Sequence, residues 1–258
     1  YTKNLMEALN NNSIDYTFVN LELEMIDEGI LREYFKHRKK AFFSVGIESG
    51  NDRVLKKIAN RRTCRKIIKN KLEIIKNILG EDGFVNGSFI IGFPDETKDE
   101  IYETIEFAQE ADIDWAAFFC YMPLPGTPLF ETCVKKGYIC PDRTDFSMIN
   151  PGNSILNMPH LSAKEITYLW NYANYKVNFV HNKMIQTNPK KAIKAFEYVL
   201  TVVPEHCFAF YGLYKCYKEL GNSLMVDRYL SKFKSCSKEM FWRGYVEELV
   251  VEDYILSN

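Results

Sequence analysis

The chain has 258 residues, with 33 basic against 34 acidic side chains, 47% hydrophobic content and 14% aromatic content. That is apolar sequence enough for one large domain or one medium and one small, and a net charge of −1 gives no electrostatic ground for nucleic acid or an anionic membrane as partner. No apolar run reaches a membrane span, and the first residues lack a basic-then-apolar signal pattern. Seven scattered cysteines argue against a disulfide framework, so a reduced, cytoplasmic protein is expected.

In chain order, Leu5, Met6 and Leu9 lie at helical spacing, and Asn10-Asn11-Asn12-Ser13 breaks that helix. A strand is predicted over 16–23. Asp27 has N-cap character ahead of the apolar face Ile30, Leu31, Tyr34 and Phe35. A second strand is expected over 41–47, then a short helix around Val54, Leu55 and Ile58. A longer helix follows over 63–79, ended by Gly80. The third strand is predicted over 84–91. Thr97 and Glu100 form a capping box for a helix burying Ile101, Ile105 and Ala108, and the fourth strand is predicted over 115–121.

The alternation is βαβαβα, with strands apolar enough to be buried on both faces. It predicts an α/β fold with a parallel sheet covered by helices. Four strands are fewer than a full eight-stranded barrel needs. Residues 1–140 are read as this core and 141–160, rich in Pro, Gly and Asn, as an irregular connection. Residues 161–258 read as an all-helical extension that opens on Ser162 and Glu165. Within it, Ala192, Phe196 and Pro204, then Phe210, Leu213, Tyr217 and Gly221, follow the spacing of tetratricopeptide repeats. Tyr214, Val226 and Leu230 depart from that pattern. Such a tail offers a surface for a protein partner, or plain helical packing.

Three strand ends carry polar groups in glycine- or proline-marked turns: Gly46-Ile47-Glu48-Ser49-Gly50, Phe89-Ile90-Ile91-Gly92-Phe93-Pro94-Asp95-Glu96-Thr97, and Tyr121-Met122-Pro123-Leu124-Pro125-Gly126-Thr127. A carboxylate such as Glu48 accepts from a diol or an amine; Ser49 or Asn51 serves equally well as an N-cap. Arg61, after Asn60, suits a carboxylate in a bidentate pair. Ser88 shares a strand face with Ile90 and Gly92. No CxxC spacing occurs, and no metal site is assigned within the chain.

These motifs, in this order, resemble the core of the radical SAM enzymes, and most of all the groups with an N-terminal cobalamin-binding domain or of the anaerobic coproporphyrinogen oxidase type. The resemblance implies a partial (β/α)6 barrel holding a [4Fe-4S] cluster and S-adenosylmethionine. Its reductive cleavage yields a 5′-deoxyadenosyl radical for oxidoreduction or methyl transfer. It also implies an electron donor such as flavodoxin or ferredoxin and, for the cobalamin-binding group, cobalamin held by that N-terminal domain. Carried over by motif, Glu48 and Ser49 fall at the strand end that holds the methionine or ribose part, and Arg61 pairs with the methionine carboxylate. Ser88 reaches the ribose, and Gly92 and Tyr121 lie near the adenine. Glu22 is a weaker ribose candidate, and no catalytic residue is assigned.

The family's CxxxCxxC loop and its amine-binding strand motif are missing. With no initiator Met before Tyr1, the chain reads as part of a longer enzyme, unable to hold the cluster or turn over alone. Two alternatives stand beside this reading. One is a degenerate barrel acting as a scaffold with a protein-binding tail. The other is a barrel enzyme using acid–base chemistry through Glu22 and Glu48, for which no strand end supplies a His or Lys partner.

Overall fold

The computed structural model describes residues 1–14, 21–36 and 42–250, and for Leu21 and Glu22 the backbone alone. Two units divide the chain, Tyr1–Asn171 and Tyr172–Asn258. In the first, the elements run α1 (Thr2–Asn11), β1 (Leu21–Glu22), α2 (Glu28–Tyr34), β2 (Phe42–Glu48), α3 (Arg65–Leu79), β3 (Phe84–Ile91), α4 (Lys98–Glu110), β4 (Trp115–Cys120) and α5 (Pro128–Lys135). The boundary falls within α6 (Ala163–Tyr175). The strands pair parallel throughout, in the order β1-β2-β3-β4. Most of the predicted first strand, and His37, lie outside the described residues.

Local chemistry sets the element ends. Asp27 accepts from the Ile30 N–H at 2.7 Å and starts α2. The Thr97–Glu100 capping box is formed at the head of α4. Gly80, at φ +73°, closes α3 with its N–H on the Lys76 carbonyl. The predicted start of α3 moves from 63 to Arg65, because Cys64 is extended and the Arg65 N–H is taken by Asp52 Oδ1 at 2.8 Å. Val54–Ile58 is a π-helical turn, with the Val54 N–H capped by Asn51 Oδ1.

The sheet differs from the prediction in one way that matters for function. Its strands are fully buried on one face only, and burial alternates along β2, β3 and β4. Val45, Ile47, Val85, Phe89, Ile91, Ala116 and Phe118 form the buried face, with Phe89 and Phe118 stacked at 5.1 Å. The other face is less covered, and it lines the cavity described below.

The outer edge of β4 is closed by the irregular connection. The Cys120 N–H donates to the Pro151 carbonyl at 2.7 Å, and the Trp170 indole N–H donates to the Phe118 carbonyl at 2.6 Å. These contacts satisfy edge groups that would otherwise invite another strand.

At the end of β2 the chain passes very close to α4. A Cβ on Gly50 would lie 2.4 Å from Phe107 Cβ and 2.8 Å from the Thr104 backbone, so only glycine fits. Gly50→Ala is expected to destabilise the first unit by about 2–3 kcal/mol through overpacking, read as a fall in the urea midpoint with an unchanged slope.

The second unit contains α7 (Met184–Thr187), α8 (Pro189–Val202), α9 (Cys207–Glu219), α10 (Ser223–Cys236) and α11 (Met240–Leu249). The helix predicted from Ser162 to about His181 is present as α6 followed by a π-helical turn, Lys176–Val180. Consecutive helices pack, α8 on α9 and α9 on α10. The Phe196 ring lies over Gly212, 2.6 Å from where a Cβ would be. The small partner for that ring is therefore Gly212; Tyr214, which stands at the repeat's usual small position, is itself buried.

Candidate functional site

Three of the sequence-selected residues come together. Glu48, Arg61 and Ser88 line one cavity of about 490 Å³ with Gly46, Ile47, Ile90, Phe119, Leu23, Glu24 and Thr63. The cavity opens on the less covered face of the sheet, at the C-terminal ends of the strands, where parallel α/β folds build their sites. Its size is that of a pocket for a nucleoside-sized ligand.

Glu48 reaches the cavity through an unusual backbone. The register between β2 and β3 slips between Gly46 and Glu48, Glu48 stands at φ +71°, and the Ser49 N–H bonds back to the Ile47 carbonyl at 3.0 Å. That is a γ-turn of the rare positive-φ kind centred on Glu48. A non-glycine residue held there costs on the order of 1–3 kcal/mol, the sort of strain that gathers at ligand sites. Bulges of this kind re-aim a side chain, and here the carboxylate is turned toward Arg61.

Arg61 is placed by a second positive-φ residue. Asn60, at φ +52°, ends the π-helical turn, and the Arg61 N–H is fixed on the Leu55 carbonyl at 2.8 Å. The guanidinium Nη2 donates to Glu48 Oε1, with both side chains partly covered. A charge-assisted pair in this setting holds its geometry better than an exposed one. The described lining carries two carboxylates and one guanidinium, a net charge of −1.

The remaining sequence candidates are placed elsewhere. Ser49 is fully buried, shares a hydrogen bond with Thr104 Oγ1 at 2.9 Å and accepts from the Asn51 N–H at 3.0 Å. Its hydroxyl is spent on fastening β2 to α4 and does not line the cavity. Gly92 stands at φ +76°, with Ile166 2.5 Å from where a Cβ would be. Tyr121 is buried, its N–H on the Ile91 carbonyl at 2.8 Å and its ring 5.3 Å from that of Phe93. Gly92 and Tyr121 therefore shape the strand exits beside the cavity without lining it. For Glu22 the structure describes only the backbone, paired with Gly46.

Three residues escaped the sequence reading. Glu24 projects from the 3-10 turn Leu23–Met25 that directly follows β1 and lines the cavity. Thr63 lines it too, and its buried hydroxyl has no hydrogen-bond partner. Glu96 is fully buried and grips the exit turn of β3. Its Oε2 accepts from the Gly92 and Phe93 N–H groups at 2.6 and 3.0 Å, while Oε1 is without a partner. Burial pushes its carboxyl up to about 8 against these two bonds.

The seven cysteines are all free, and among the described residues no three His, Cys, Asp or Glu side chains converge as a metal site. Of the described histidines, His160 lies on the Glu96 carbonyl at 3.0 Å, and His181 and His206 belong to the second unit. Among the described residues no helix is long and apolar enough to cross a membrane.

With the polar strand ends of a parallel sheet gathered round one cavity, comparison with known proteins becomes informative. The sequence model described as the radical SAM superfamily matches residues 2–108. Residues 2–108 are similar to that superfamily. That superfamily is one of enzymes that use S-adenosylmethionine and a [4Fe-4S] cluster. An uncharacterized methyltransferase of Pyrococcus horikoshii is 34% identical over 125 residues, which is 48% of this chain and 26% of that protein. A tRNA-2-methylthio-N(6)-dimethylallyladenosine synthase of Ehrlichia chaffeensis is 36% identical over 104 residues, 38% of this chain and 23% of that protein. A cytidylyl-2-hydroxyethylphosphonate methyltransferase of Streptomyces wedmorensis is 28% identical over 159 residues, 59% and 29% of the two. The chain spans about a quarter of the length of these relatives.

The donor set suits one of the family's two cofactors and not the other. A cavity with a carboxylate–guanidinium pair, a second carboxylate and the Ser88 hydroxyl suits a zwitterionic nucleoside such as S-adenosylmethionine. The cluster requires thiolates, and among the described residues Cys64, Cys120, Cys133 and Cys140 of the first unit are in no such constellation. Cluster chemistry is therefore not assigned to these residues.

Proposed function

We propose that the first unit forms part of the S-adenosylmethionine site of a radical SAM enzyme that transfers methyl or methylthio groups. The convergence of Glu48, Arg61 and Ser88 on one cavity at the ends of β2 and β3 carries this reading. When bound to a reduced iron–sulfur cluster held by residues outside this sequence, the cofactor supplies a carbon radical that abstracts hydrogen. The chain's own part is to bind and orient.

Arg61 takes the ligand's carboxylate while Glu48 steadies the guanidinium, so that its planar fork is aimed before the ligand arrives. Ser88 offers a hydroxyl that both donates and accepts, matched to a ribose diol. Ile90 and Phe119 give an apolar wall for a flat heterocycle and exclude water. The net charge of −1 on the described lining complements S-adenosylmethionine, whose sulfonium, ammonium and carboxylate sum to +1.

Group transfer is favoured over oxidoreduction because relatives matched in this segment are named as methyltransferases and a methylthiolating synthase. Cobalamin, where used, would be held elsewhere in the protein.

Direct titration of the chain with S-adenosylmethionine tests the reading. Wild type should bind, and Arg61→Ala should weaken binding at least tenfold, on the order of 1.4 kcal/mol. Arg61→Lys should recover only part of the loss, since an ammonium cannot replace the fork. Wild-type binding that is absent, or untouched by Arg61→Ala, would remove the cofactor site from this cavity.

A further inference from the structure

Two of the seven cysteines meet inside the second unit. Cys207 is the first residue of α9 and Cys236 the last of α10, and they are 0% and 3% exposed. α9 packs on α10, with the start of one beside the end of the other. The contacts there are reciprocal. The Cys236 thiol donates to the Glu205 carbonyl at 3.2 Å, two residues before Cys207. The Cys207 thiol lies 4.0 Å from the Phe233 carbonyl, about one turn before Cys236. The two thiols also act on each other directly. Among the described residues no other two cysteines do so.

Local structure fixes both ends of this contact. His206 Nδ1 holds the Ala209 N–H at 3.1 Å and sets the first turn of α9. The Ser237 N–H closes α10 on the Phe233 carbonyl at 2.8 Å, and the Glu239 N–H takes the Cys236 carbonyl at 3.0 Å. The fold therefore keeps the two sulfurs together. Packing alone asks for a small apolar side chain at each position; it does not ask for sulfur at both.

We propose that Cys207 and Cys236 are a dithiol–disulfide pair, which a small-molecule disulfide oxidises to a bond fastening the start of α9 to the end of α10. The inference is independent of the cofactor reading. The step is thiol–disulfide exchange. The Cys236 thiolate attacks one sulfur of the oxidant RSSR, breaks its S–S bond and expels RS⁻. The Cys207 thiolate then attacks the mixed disulfide at Cys236, forms the intrachain bond and expels the second RS⁻. The two thiol protons end on the two RS⁻ groups, and the oxidant accepts two electrons.

Burial sets the pace. It raises both thiols, Cys236 to about 11 and Cys207 further, so the folded pair is neutral and slow to attack. Opening of the helix ends admits the oxidant, and the neighbouring sulfur then captures the mixed disulfide. Once formed, the bond restricts the unfolded α9–α10 hairpin and so holds the two helices together.

The test is incubation of the whole native chain with glutathione disulfide, followed by peptide mapping without reduction and by hydrogen exchange. A Cys207–Cys236 bridge is expected, reversed by dithiothreitol. Exchange in peptides within 207–236 should slow at least tenfold on oxidation, while peptides of the first unit stay unchanged. Cys236→Ala should lose both the bridge and the slowing. Cys140→Ser, at the exposed thiol, should keep both. The wild-type map stands whether or not a variant folds. No bridge in the native chain, a bridge mapped to other cysteines, or loss of the bridge in Cys140→Ser would overturn the proposal. So would a Cys207–Cys236 bond that quickens exchange across the hairpin, since it would then distort the unit and not fasten it.

Discussion

Raising the pH through 8 should loosen the first unit around the exit of β3, and Glu96→Gln should abolish the effect. Glu96 is fully buried, and burial raises its carboxyl from 4.5 to about 8. The Phe93 and Gly92 N–H groups pull the other way, as does the charge of Arg53, while Glu100 adds to the rise. The folded value lies above the unfolded one, so between 4.5 and about 8 the folded chain holds a proton that the unfolded chain has lost. The contribution is therefore complete below pH 4.5 and is lost progressively as pH climbs to 8. Across the whole window it amounts to roughly 5 kcal/mol. Glutamine keeps an oxygen for the Gly92 and Phe93 donors and cannot ionise. Hydrogen exchange read by peptide is the suitable measurement: wild-type protection over 89–101 should fall between pH 6 and 9, and that of Glu96→Gln should stay level after correction for intrinsic rates. A parallel fall in both proteins would move the cause to another group.

The same residue shows what the sequence conveyed and what it withheld. β3 is observed over the predicted span, because its limits are written in short-range chemistry. Gly80 stops the preceding helix, and the Thr97–Glu100 box starts the next. Parallel pairing followed from alternation of strands and helices, and the nearness of Glu48 and Ser88 from their places on paired strands; Arg61 joins them only through the π-helical turn that precedes it. Glu96 was hidden because its partners are backbone groups three and four residues earlier, a contact with no side-chain signature. Glu24 was hidden because the predicted strand stops at Leu23, and only the 3-10 turn brings the next residue into the lining. Thr63 was read as the start of a helix, whereas the extended Cys64 leaves it outside. Ser49 shows the opposite limit. A hydroxyl beside a glutamate at a strand end suits a ligand, yet the close passage of Gly50 over α4 brings Thr104 within 2.9 Å of it.

Lowering the pH from 7 toward 4 should weaken the second unit, in the opposite sense to the first. His206 begins α9 as its N-cap, with ring Nδ1 accepting from the Ala209 N–H at 3.1 Å. Its imidazole sits among aromatic rings, 4.7 Å from Phe179, 5.1 Å from Trp242 and 5.6 Å from Tyr175. Removal from water lowers its value from 6.5 to about 4. Protonation would also take away the lone pair that caps the helix. Here the folded value lies below the unfolded one, so the unfolded chain binds the extra proton first. The contribution is complete above pH 6.5 and is lost as pH falls toward 4, on the order of 2–3 kcal/mol because the ring is partly exposed. His206→Asn keeps a cap acceptor and removes the titration, at the cost of a void among the rings. The variant should thus be less stable at pH 7 and yet show a flatter stability curve between pH 4 and 6.5. Exchange protection of 206–219, followed across that range in both proteins, separates the two effects. A wild-type slope that persists in His206→Asn would mean that another group of the second unit governs its acid sensitivity.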